Sequence, residues 1–300
     1  MTTMPVLRGT TRADLLALPS FMFGFHPQDS VVLLGMQGKV VSFSCRLEAH
    51  WFHHHFEQVA EQILNAASQL SDVRFILMGY SHDVDLAWAS VMELADVLGP
   101  ERVTEALVTD GTHYWSLTDD EGPVQYDFDA SPVAAHAVYN GVVIHASREE
   151  AVAPVHLWEP AERGAVEAAL AAVADLDEDG AMEELAGLAE QQPPIEDPDS
   201  ALKLACLLLD ADRAAALLTR LNSTTAEVIW PNLLAARQLA PVSAQPTTVA
   251  LLGMASWLAG RGAQATACLE QMATLDPDNP VGQVLSTVHR NGISPRVWDE

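Results

Sequence analysis

Two hydrophobic textures divide this chain, and the change between them limits the folds open to it. Up to about residue 152, short apolar runs alternate with helical patterns. Beyond about residue 155 alanine and leucine dominate and strand patterns vanish. This predicts an α/β domain over residues 1–152, a mixed sheet flanked by helices. An all-helical domain is expected over 153–300.

In the first half, Thr11-Arg12-Ala13-Asp14 has the capping-box form, and a short helix should end near Pro19 or Gly24. Val31 to Leu34 is an unbroken apolar run, expected as a strand buried on both faces. After a turn at Gln37-Gly38-Lys39, Val41, Phe43, Cys45 and Leu47 alternate with Ser42, Ser44 and Arg46, a strand with one buried face. Phe56, Val59, Ala60, Ile63, Leu64, Ala67 and Leu70 keep helical spacing, as do Val84, Ala87, Trp88, Val91, Ala95 and Leu98 before Gly99-Pro100. Phe75 to Met78 and Thr104 to Thr109 are expected strands. Asp110-Gly111 suggests a type I′ hairpin into His113, Trp115 and Leu117. Asp119 to Pro123 should be a surface loop, Ser131-Pro132 should open a helix through Tyr139, and Val142 to His145 should be a last short strand. In the second half, Gln191 to Pro198 breaks the helical pattern. The stretch from Thr248 to Pro280 has the large, small and helix-ending residues of a tetratricopeptide-like hairpin, with helices over 248–259 and 263–274.

Charge narrows the partners. The chain holds 41 acidic and 15 basic residues, a net −26, and each half carries −13. Such a field repels nucleic-acid backbones and anionic membranes and leaves a basic protein partner open. No apolar run reaches membrane-spanning length, and Arg8, Arg12 and Asp14 interrupt any signal-peptide pattern. Cys45, Cys206 and Cys268 are odd in number and scattered, which suits reduced thiols in a cytoplasm. Nothing in the chain calls for a cofactor. The phosphate loop G-x-x-x-x-G-K-[ST], the dinucleotide fingerprint G-x-G-x-x-G and the nucleophile elbow G-x-S-x-G are all missing from the sequence.

The residues able to carry chemistry cluster in expected loops. His26, Gln28, Asp29 and Ser30 crowd a loop before the first strand, where His26 would act as a general base, Asp29 would orient it and Ser30 would complete the candidate catalytic set. The same residues also form ordinary turns. With Val41–Leu47 and Phe75–Met78 as parallel neighbours, the loops after them would gather His50, His53, His54 and His55 with Tyr80, His82 and Asp83. His50 and His54, four residues apart, could face the same way as metal ligands do, but no HExxH-type motif is present, and the preferred reading is a hydrated helix start with no metal. His82 and Asp83 are candidate ligand-binding residues. So are Asp129 and Ser131, at a helix start that suits an anion or simply an N-cap.

The strings from Leu15-Leu16-Ala17 through Gly24-Phe25-His26-Pro27-Gln28-Asp29-Ser30-Val31-Val32, Asp110-Gly111 with Trp115, Tyr126-Asp127, and Ser131-Pro132-Val133-Ala134-Ala135 resemble an actinobacterial family, domain of unknown function 4192. The resemblance implies a cytoplasmic protein of an actinobacterium or its phage and brings no activity, cofactor or catalytic residue with it. Two functions remain as expectations: a non-catalytic interaction or adaptor protein, and an enzyme or small-ligand-binding protein with a polar site on the loops of the sheet.

Overall fold

The structure is a computed structural model and describes residues 11–68, 72–119 and 121–299. The chain forms two compact units, one running to Arg148 and the other beginning at Glu149.

The first unit holds α1 (Arg12–Phe23), β1 (Ser30–Gln37), β2 (Val40–Glu48), α2 (Trp51–His54), α3 (Phe56–Ser68), β3 (Arg74–Tyr80), α4 (Val84–Leu98), β4 (Val103–Thr109), β5 (His113–Ser116), β6 (Glu121–Gln125) and α5 (Pro132–Tyr139). Its mixed sheet has the order β2-β1-β3-β4-β5-β6, and β3 and β4 are its parallel pair. The apolar run of β1 is buried on both faces, as its lack of alternation requires. Val31, Leu33, Phe75, Leu77 and Val108 point to one face, under Val59 and Ile63 of α3 and Val91 and Leu94 of α4. Val32, Leu34, Ile76, Met78, Tyr80 and Leu107 point to the other, against Leu16 of α1. Full burial of one such Leu or Val side chain contributes about 1.5–3 kcal/mol. The capping box is present: Asp14 N–H donates to Thr11 Oγ1 at 3.1 Å and Thr11 N–H to Asp14 Oδ2 at 3.0 Å. The helix runs through Pro19 to a left-handed Gly24, whose N–H reaches Ser20 O.

Four expectations change. Val41–Leu47 and Phe75–Met78 are not neighbours, because β1 lies between them and is antiparallel to both. Glu121 to Gln125, expected as loop, is the edge strand β6; an edge tolerates Pro123, which a central strand would not. Val142 to His145 makes no strand, only a single bridge from His145 to Phe25. The β4–β5 connection spans three residues with only Gly111 at positive φ, so it is not type I′, which needs two. Leu70 and Asp120 of the expected elements lie outside the described residues.

The second unit is helical among the described residues: α6 (Arg148–His156), α7 (Arg163–Ala174), α8 (Glu178–Ala189), α9 (Pro198–Leu207), α10 (Ala211–Arg220), α11 (Ala226–Leu239), α12 (Gln245–Leu258), α13 (Gly262–Leu275) and α14 (Pro280–Arg290). Its core joins Leu185, Leu204, Leu217, Leu233, Leu251 and Leu285. The hairpin read from the sequence is α12–α13, and Pro280 begins α14 at a position where its missing N–H costs nothing. No described helix is long and apolar enough to cross a membrane.

Candidate functional site

The alternation of strand directions brings the ends of β2, β3 and β4 and the start of β1 to one edge of the sheet, in the row Glu48–Ser30–Tyr80–Thr109–Tyr114. Four loops leave this edge. They line an open cleft of about 390 Å³ that includes Ser20, His26, Asp29, Tyr80, Ser81, His82, Asp110, Tyr126, Asp127, Phe128 and Asp129.

The first loop is held from two sides. His26 N–H donates to His145 O at 3.0 Å and His145 N–H to Gly24 O at 2.8 Å, so the segment expected as a strand serves as a clip. Asp29 stands in the left-handed region at φ +41°, which its short polar side chain tolerates, and its carbonyl accepts Ala49 N–H at 2.8 Å. Its carboxylate Oδ1 accepts the Ser81 hydroxyl at 2.6 Å, tying the first loop to the β3–α4 loop. Ser81 Oγ also accepts Asp83 N–H at 3.1 Å.

His26 sits edge-on to the Phe128 ring, centroids 4.6 Å apart, with Nδ1 3.1 Å from Ser20 Oγ. Burial lowers its pKa from the ordinary 6.5, and the nearby charge of Asp129 opposes that shift. At neutral pH the ring is therefore neutral, and its Nε2 has no hydrogen-bond partner among the described residues.

The β4–β5 loop is built around Asp110. Its Oδ1 accepts Thr112 N–H at 2.7 Å, Thr112 Oγ1–H at 2.9 Å and His113 N–H at 2.7 Å. Desolvation pushes this carboxyl up, but the donors from His113 and Thr112 outweigh it, and the pKa falls below the ordinary value. Tyr80 and Tyr126 form the floor. Burial raises both phenols, so they stay protonated, and Tyr80 donates its hydroxyl to Leu16 O at 2.8 Å. The cleft thus presents four carboxylates, two imidazoles and three aromatic rings, with no Lys or Arg in its lining.

Of the candidates from the sequence, His26, Asp29, His82 and Asp129 meet in this cleft. The others lie elsewhere. Ser30 is fully buried at the start of β1. Asp83 caps α4 by accepting Leu86 N–H at 3.1 Å, and Ser131 caps α5 by accepting Ala134 N–H at 3.1 Å. His50 precedes the single turn of α2 and packs edge-on to Trp51. The side chain of His54 lies outside the described residues. Among the described residues, no three His, Cys, Asp or Glu side chains are grouped to hold a metal ion. Ser20 and Ser81 were not legible as site residues, since a serine in a helix turn or after a strand carries no pattern. Tyr126 and Asp127 stood in a string that resembled the family.

The family model described as Domain of unknown function (DUF4192) matches residues 13–296. The chain belongs to this family. Its matched region takes in both units of the DUF4192 chain, the cleft and the helical hairpin included. No curated protein and no solved structure matches this sequence.

Proposed function

We propose that the cleft binds a small ligand bearing a positively charged amine. One observation carries this reading: loops far apart in sequence deliver four carboxylates and aromatic side chains to one concave site whose lining holds no Lys or Arg. Ligand sites in α/β sheets lie at the carboxyl ends of parallel strands, and the ends of β3 and β4 border this cleft. An ammonium group gains from carboxylates and from ring faces together. A phosphate or carboxylate ligand would meet like charge. Three unpaired cysteines, two of them buried, favour a reducing cytoplasm as its setting.

Thermal-shift and calorimetric titrations with a panel of primary amines, polyamines and amino sugars, against sugar phosphates as controls, test the reading. Amines should stabilise the protein, and Asp129→Asn should weaken them about two- to fivefold, the scale of one exposed charge pair. In the same variant, the His26 titration followed by NMR should move further below 6.5, because the opposing carboxylate charge is gone. Binding of phosphates in preference to amines, or amine binding indifferent to Asp129→Asn, would defeat the proposal.

The protein-interaction reading rests on a second feature. A groove of about 330 Å³ between α7, α8 and α9 is lined by Ala165, Ala168, Ala172 and Leu202, with Lys203 paired to Glu184 at 2.7 Å. Small residues let a partner helix approach closely. A basic partner captured by the wild-type chain should be lost with Ala168→Arg and at high salt. Identical capture by both chains would speak against this groove.

A further inference from the structure

We propose that the ligand of the cleft carries a neutral oxygen acceptor, a hydroxyl or a carbonyl, beside its ammonium group, as an amino sugar does. The inference rests on the amine reading and narrows it. It starts from Ser20, which is 2% exposed near the end of α1. Among the described residues its hydroxyl has one partner, His26 Nδ1 at 3.1 Å. Either tautomer of the neutral ring would make that contact. With the ring proton on Nδ1, the imidazole donates, and the serine hydrogen is left without an acceptor where almost no water reaches it. With the ring proton on Nε2, the serine donates to Nδ1. The ring N–H then faces a place that water reaches, since Nε2 is not sealed from solvent. A buried donor left unpaired costs more than an open one, so Ser20 fixes the proton of His26 on Nε2. Ser20 is thus a positioning residue, and the ring presents an N–H to the cleft.

A second donor stands in the same lining. Tyr126 is 7% exposed, burial keeps its phenol protonated, and its hydroxyl has no partner among the described residues. The remaining hydroxyls of the lining are committed: Tyr80 donates to Leu16 O, Ser81 to Asp29 Oδ1, and Thr109 to His113 O at 2.7 Å. A bare ammonium group brings only N–H donors. It suits the carboxylates and leaves both His26 Nε2–H and the Tyr126 hydroxyl unanswered. A phosphate or carboxylate oxygen would answer them but meets Asp29, Asp110, Asp127 and Asp129. A neutral oxygen on an amine meets both demands at once. The same argument ranks an amino sugar above a polyamine, whose chain offers donors alone at neutral pH.

Nitrogen NMR of the full chain at about pH 8, where His26 is neutral, tests the tautomer without any ligand. The expected spectrum shows a protonated Nε2 and an unprotonated Nδ1, and Ser20→Ala should bring in the second tautomer. Calorimetric titration at about pH 7 with glucosamine and with cyclohexylamine, a ring amine without oxygen, then tests the ligand class. Glucosamine should bind at least about tenfold more tightly, and Tyr126→Phe should cut that ratio about fivefold, the scale of one neutral hydrogen bond. A ring proton resting on Nδ1 in the wild-type chain would overturn the proposal, and so would equal affinity for the two amines. Binding of neither amine would instead defeat the amine reading, and this inference with it.

Discussion

Replacing Asn232 with alanine is expected to lower the unfolding free energy of the helical unit by about 3 kcal/mol or more. The side chain is fully buried in α11, and every polar atom on it is used. Its Oδ1 accepts Ile195 N–H at 2.8 Å. Its Nδ2 donates to Ala189 O at 2.9 Å and to Gln191 O at 3.1 Å. These groups belong to the end of α8 and the proline-rich segment that follows, where no regular structure satisfies the backbone. One amide thus ties an irregular connection to a helix. Alanine would strand several buried backbone groups at once, each costing about 1–3 kcal/mol. Urea unfolding of the full chain, with amide exchange across residues 189–196, measures the effect. A midpoint within error of wild type would show that this clamp is not needed.

Gly253→Val should cost a similar amount, about 3 kcal/mol, by overpacking. Gly253 lies on α12 facing Cys268 of α13 and Leu285 of α14. A Cβ there would stand 2.5 Å from Leu285 Cδ2 and 2.9 Å from Cys268 Cβ. The leucine tip can swing aside, but the cysteine Cβ is fixed to its helix, so α13 must move. Gly253→Ala should be milder, because the gain of about 1 kcal/mol in helix propensity offsets part of the clash. Thermal unfolding of both variants gives the comparison, and a valine variant as stable as the alanine one would contradict the close approach.

Elements with strong periodicity were legible before the structure. The stripe of Val84, Ala87, Val91 and Leu98 matched α4, and the unbroken apolar run at Val31 matched the doubly buried β1. Elements held by non-local pairing were not. β6 reads as loop because Gly122-Pro123 dominates its local signal, and only pairing with β5 makes it a strand. The site divides in the same way. His26, Asp29, His82 and Asp129 stood out by residue type. His50 and Asp83 stood out equally, yet one packs on a tryptophan and the other caps a helix.

The sequence alone therefore settled the strongly periodic helices and the doubly buried first strand, the switch from mixed to helical texture, and the surplus of negative charge. These are local or additive properties, written in the spacing of apolar side chains and the count of acids. The insertion of β1 between β2 and β3 was decided by tertiary structure, and with it the gathering of residues 20 to 129 around one cleft. Strand order depends on hydrogen bonds between segments distant in the chain, and no single segment carries the information for them.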